Sequence, residues 1–96
     1  MIYYIIEPSV IYKSICDEHL LIGTGEKYAN ELSTRQLNST GVFFWSLLEK
    51  QMELEEMIEA ASKQYNVEKE RIRPGLIRFL EELVDCGFLK MEYREQ

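Results

Sequence analysis

Leu37-Asn38-Ser39-Thr40-Gly41-Val42-Phe43-Phe44-Trp45-Ser46-Leu47-Leu48 is the stretch from which the fold is read. Asn38 or Ser39 can cap a helix, because a short side-chain oxygen accepts an amide hydrogen that the first turn leaves unpaired. From Thr40 to about Met52 the pattern is helical. Phe43, Phe44, Trp45, Leu47 and Leu48 cover a very wide arc, leaving mainly Ser46, Glu49 and Lys50 outside it. A stripe that wide predicts burial on more than one side. The chain's single Trp and two of its four Phe lie here, so this is the expected core helix.

Around that helix the composition sets limits. The chain has 96 residues, enough for one domain (residues 1–96) with a modest core. An apolar fraction of 46% with 29% charged residues matches a folded soluble chain. The 17 acidic against 11 basic residues give a net charge of −6, which weighs against a phosphate backbone as main partner. Cys16 and Cys86 have no companion His or Cys at metal-ligand spacing and read as two thiols in a reducing compartment. Ile2 to Ile6 is apolar but has no basic leader and is broken by Glu7-Pro8; no run is long enough to span a bilayer. The expected location is cytoplasmic.

Upstream of the helix the signals are those of short strands. Ile2 to Ile6 reads as an edge strand or an ordered arm, because Pro8 follows it. Val10 to Cys16 is β-branched and aromatic, with Asp17-Glu18 as the turn after it, and His19 to Ile22 reads as the next strand, closed by Gly23-Thr24-Gly25. His19, beside that turn, is read as solvated and not as a ligand. Glu26 to Glu31 is a polar loop. Leu32, Ser33, Thr34, Arg35, Gln36 and Leu37 form a third strand too polar for the middle of a sheet, hence an edge strand.

Downstream the chain is helical. Leu54, Met57, Ile58, Ala61 and Tyr65 recur at three- and four-residue steps. Glu53, Glu55 and Glu56 sit at that helix's start, where its dipole favours carboxylates, and Asn66 ends it. A last helix is expected between Glu68 and Cys86 with Gly87 just beyond. Pro74-Gly75 predicts a kink, or a loose first turn with the firm helix starting near Pro74. Ile72, Leu76, Phe79, Leu80 and Leu83 carry more apolar surface than one neighbour requires. Phe88 to Tyr93 reads as a short terminal strand or an extended tail.

A catalytic constellation is missing. With one His, no phosphate-cradling glycine loop and no metal-ligand spacing, the chain is expected to bind and not to catalyse, with no cofactor. Three short strands followed by three helices predict an α+β fold of the winged helix-turn-helix kind. That layout admits a DNA-binding regulator as an alternative. Lys69, Arg71, Arg73 and Arg78 do concentrate charge on the last helix, but Glu81, Glu82 and Asp85 follow on it. A structural or dimerisation subunit of an enzyme complex is the other alternative.

The residues then carry a resemblance. Leu37-Asn38-Ser39-Thr40-Gly41, Phe44-Trp45 and Leu47-Leu48 resemble the Leu-Asn-x-Thr-Gly-x-x-x-Trp-x-Leu-Leu signature of PqqD-like proteins, also called RiPP precursor peptide recognition elements. Leu54-Glu55-Glu56-Met57-Ile58, Tyr65, Phe79-Leu80, Leu83 and Gly87-Phe88-Leu89 follow at that family's spacing, so the resemblance covers roughly Val10 to Leu89. Two departures stand out: Gly75 replaces an acidic residue usual four before the Phe-Leu pair, and Glu26 to Glu31 lengthens the connection into the third strand.

What the resemblance implies is a small non-catalytic protein, monomer or homodimer, that holds the leader segment of a ribosomally made precursor peptide. It presents that peptide to a separate modifying enzyme, such as a radical SAM protein or a lasso-peptide leader peptidase. In the family the leader adds as a strand to the third strand and lies in a cleft against the third helix. Carried onto this chain, the expected contacts are Leu32 to Leu37 on the strand, with Ile72, Leu76, Phe79 and Leu80 lining the cleft. The basic patch of Lys69, Arg71, Arg73 and Arg78 is expected to help steer an acidic leader, with Arg73 among the contacts. No nucleic acid and no membrane are expected as partners.

Overall fold

The computed structural model describes residues 1–25 and 33–95. In chain order these form β1 (Ile2–Ile6), β2 (Val10–Ile15), β3 (Glu18–Gly23), β4 (Thr34–Leu37), α1 (Ser39–Glu49), α2 (Leu54–Tyr65), α3 (Lys69–Asp85) and β5 (Leu89–Tyr93). β2, β3 and β4 make a three-stranded antiparallel sheet in that spatial order, followed by the three helices. This is the expected α+β, winged-helix-like layout. The hairpin turn lies one residue earlier than expected, at Cys16-Asp17. Both take left-handed backbone, φ 47° and 67°, as a two-residue hairpin loop requires if it is to follow the twist of its strands. His19 is therefore inside β3, half-buried, with its Nδ1 bonded to the Tyr12 hydroxyl across the hairpin at 2.5 Å.

The chain ends close a second sheet that periodicity alone does not reveal. β1 pairs antiparallel with β5, from Ile2 opposite Tyr93 to Ile6 opposite Leu89. β1 is apolar and β5 alternates apolar and charged residues, and the two resolve the strand-or-arm and strand-or-tail readings by satisfying one another's backbone. Tyr4, Phe88 and Leu89 thereby reach the core, which they share with Leu47, Leu48, Met57, Ile58, Leu76, Leu80 and Leu83.

The helix ends follow their local chemistry. Asn38 caps α1, its Oδ1 accepting the Gly41 amide at 2.8 Å. α1 stops at Glu49, short of the expected Met52, because Gln51 swings into left-handed backbone (φ 59°) and turns the chain toward α2. α2 opens on a capping box: the Glu56 amide donates to Glu53 Oε1 at 3.0 Å, and the Glu53 amide to Glu56 Oε1 at 3.1 Å. It ends on Asn66 in left-handed backbone, as its residue type suggests. α3 is helical from Lys69, a full turn before Pro74. The firm helix thus does not wait for the proline. Its first turn is tightened, the Arg71 and Ile72 amides both donating to the Glu68 carbonyl. α1 is buried along Phe44, Trp45, Leu47 and Leu48, with Phe43 half-buried and edge-on to Tyr65 at 5.6 Å between ring centres.

Candidate functional site

An open cleft of about 380 Å³ lies between the end of β4, the start of α1 and the outward face of α3. Its first wall is Gln36, Leu37, Asn38, Thr40 and Gly41; its second is Arg71, Ile72, Gly75, Phe79 and Glu82, with Phe44 between them. The residues on α3 fall at three- and four-residue steps, which places them on one face of the helix. The two walls meet where α1 approaches α3. A Cβ on Gly41 would stand 3.3 Å from both Leu37 Cδ2 and Phe79 Cε1, so a larger residue there would push those side chains back by a few tenths of an ångström. The Phe44 and Phe79 rings meet edge-to-face, 5.5 Å between centres, and form the aromatic base of the cleft.

The strand beside this cleft has an open edge. β4 is bonded to β3 alone among the described residues, which makes it the sheet's outer strand on that side. Its outward backbone groups can be assigned from the register. The Gly23 amide donates to the Ser33 carbonyl at 2.8 Å, so residues 23 and 33 face each other. Antiparallel ladders alternate, so Arg35 (opposite Leu21) and Leu37 (opposite His19) also point inward. Thr34 and Gln36 then turn their N–H and C=O groups away from the sheet. Thr34, Arg35 and Gln36 are all exposed, whereas Leu37 is buried and anchors the strand.

The structure divides the residues expected to touch a ligand. Gln36, Leu37, Ile72 and Phe79 come together in the cleft. Thr34 and Arg35 lie on β4 leading into it, with Ser33 just before the strand; Leu32 lies outside the described residues, as does the connection from Glu26 to Glu31. Leu76 and Leu80 are wholly buried and belong to the core behind the cleft wall, so α3's surplus of apolar residues is spent on both sides. Arg73 is turned toward α2. Its guanidinium forks onto the Glu55 carboxylate through two 2.8 Å hydrogen bonds and holds that carboxyl below its ordinary pKa. The cation that does reach the cleft is Arg71, which makes no ion pair among the described residues; Glu82 supplies an opposite charge from the same helix face.

Sequence reasoning missed Asn38, Thr40, Gly41, Phe44, Arg71, Gly75 and Glu82 as cleft residues. The signal was present for three of them. Arg71, Gly75 and Glu82 share a helical row with Ile72 and Phe79, a row readable once Phe79 is placed. Asn38 and Phe44 read from the sequence as cap and core, and each has a second place: Asn38 caps the helix while its surface edges the cleft, and Phe44 is buried while it lines the base. Among the described residues no group of three His, Cys, Asp or Glu is placed to hold a metal, and no helix is long and apolar enough to cross a membrane.

Comparisons with known proteins bear on the family and the fold. No curated protein sequence matches the chain. A solved structure described as "TbiB1 in Complex with the TbiA(beta) Leader Peptide" is similar over 95% of this chain and 99% of its own, at 26% identity with a TM-score of 0.75. The family model for "Coenzyme PQQ synthesis protein D (PqqD)" matches residues 29–89, a span holding β4, all three helices and both walls of the cleft. The chain belongs to the PqqD family.

Proposed function

We propose that this protein is a non-catalytic recognition element for the leader segment of a ribosomally synthesised precursor peptide. The leader adds as a strand to the free edge of β4, and its side chains enter the cleft against α3. The observation that carries the reading is that open edge lying beside a cleft with an aromatic base and a mixed polar and apolar rim. Strand pairing supplies general affinity and register, and the cleft supplies selectivity. Membership of the PqqD family supports it, as does similarity to a protein solved with a leader peptide bound. The domain then delivers the bound precursor, in the cytoplasm, to a separate modifying enzyme such as a radical SAM protein or a leader peptidase. Its net charge of −6 and the Arg73–Glu55 pairing, which removes one cation from the α3 cluster, disfavour DNA as the ligand.

A few side chains of Leu or aromatic size, each contributing roughly 1.5–3 kcal/mol on burial, offset the ordering of a disordered peptide and give micromolar to high-nanomolar affinity. The test begins with selection of binders from a random peptide library displayed on phage. Amide hydrogen exchange is then measured on the full chain with and without a selected synthetic peptide. Added protection concentrated at Thr34 and Gln36 is expected. Tight binders that protect only α2 or the β1–β5 sheet, or failure to select any binder, would refute strand addition at β4.

A further inference from the structure

We infer that Gly75 sets the side-chain selectivity of the cleft, by leaving a bare patch of helix that receives one large apolar side chain of the bound peptide. The inference rests on the peptide-binding reading above and adds to it the determinant of what is selected. Three observations single out this glycine. Its φ is not positive, so the backbone does not require glycine there. A Cβ built on it meets nothing within 4 Å, so close packing does not require glycine either, in contrast to Gly41. Glycine in a helix interior is also unfavourable, and this one follows Pro74, which already removes an amide from α3. Neither the backbone nor the core benefits from the missing side chain. Its effect is on the shape of the cleft that Gly75 lines.

That shape has a definite chemistry. Gly75 and Phe79 are successive members of one helical row, so the missing side chain opens a gap on the N-terminal side of the phenyl ring. Helical side chains lean toward the N-terminus, so the Phe79 ring overhangs the gap. Ile72, half-buried, borders it on the flank. The helix backbone exposed at Gly75 spends its own N–H and C=O groups inside α3 and offers an incoming group no polar partner. A large apolar side chain fits this surface, and an aromatic ring fits best, packed against Phe79 edge to face.

The test is a double-mutant cycle on the full-length chain. The probes are synthetic peptides selected by the unmodified protein from the phage library, and their versions with each large apolar residue in turn replaced by Ala. Gly75→Ala and Gly75→Leu are both expected to fold, with Tm raised by roughly 2–8 °C as the helix gains a better former. Gly75→Leu should weaken the selected peptides roughly 10- to 100-fold. One Ala-substituted peptide should show a similar loss against the unmodified protein but little further loss against Gly75→Leu. Equal affinity of Gly75→Leu and the unmodified protein, with β4 still protected from exchange on binding, would overturn the role of Gly75 and leave strand addition standing. Losses that simply add across the cycle would overturn it too. Failure to select any peptide would remove the reading on which it rests.

Discussion

Proline substitution along β4 separates the edge that binds from the edge that folds. Thr34 and Arg35 are adjacent and exposed, yet the register turns their backbone amides in opposite directions. Arg35 faces Leu21 on β3, so Arg35→Pro removes a donor within the sheet. The Leu21 carbonyl is then left without its partner, at a cost of about 1–3 kcal/mol to stability. Thr34 faces outward, so Thr34→Pro takes nothing from the sheet and should change stability by less than about 1 kcal/mol. Its effect falls on the ligand. An added strand loses one hydrogen bond and is left with an unpaired carbonyl beside a proline ring, again about 1–3 kcal/mol, which corresponds to roughly 5- to 150-fold in Kd. Urea unfolding followed by Trp45 fluorescence reads the first quantity, and fluorescence anisotropy of a labelled selected peptide reads the second. The expected pattern is crossed: Arg35→Pro less stable, Thr34→Pro stable but weak in binding. Should Thr34→Pro bind like the unmodified protein while Arg35→Pro alone loses affinity, the outward assignment and strand addition would both be refuted.

Three further outcomes are expected. For peptides bearing Asp or Glu, Arg71→Glu should slow association and flatten its salt dependence more than Arg73→Glu, because Glu55 already matches the Arg73 charge; stopped-flow rates at two ionic strengths decide between them. Trp45 is 3% exposed and its Nε1 has no hydrogen-bond partner among the described residues, so Trp45→Ala should cost about 3–5 kcal/mol but Trp45→Phe far less, since it also removes that donor; the variants' denaturation midpoints check this. Glu55 titrates lower in the folded chain than unfolded, chiefly through its hydrogen bonds from Arg73, so its contribution is complete above the ordinary carboxylate range and fades as pH falls through the lowered folded value. Both groups are substantially exposed, so solvent screening keeps the effect small. Arg73→Gln should therefore narrow slightly the difference in Tm between pH 7 and pH 3, and an unchanged difference would show the pair to be energetically idle.

The division between what was legible and what was not follows the range of the forces involved. The core helix, the Asn38 cap, the Asn66 stop and the helix 2 face were readable because capping and amphipathic periodicity act within one or two turns of chain. The polarity of residues 33–36 likewise marked an edge strand, since a polar strand buried on both faces would leave its side chains unsatisfied. Joining Ile2–Ile6 to Leu89–Tyr93 was beyond such reading: each segment fits a strand or a tail, and only the packed helices between them bring the two within bonding distance. The same limit governed the cleft. Apolar residues on helix 3 gave no hint of which face was already covered, so Leu76 and Leu80 looked as available as Ile72 and Phe79 until the core closed over them. Charge behaved alike, for Arg73 is paired because Glu55, on another helix, stands opposite it, whereas Arg71 faces the cleft. Local chemistry, in short supply of alternatives, was settled by the sequence; occupancy of a face and pairing of a charge depend on residues distant in the chain, and those the tertiary structure decided.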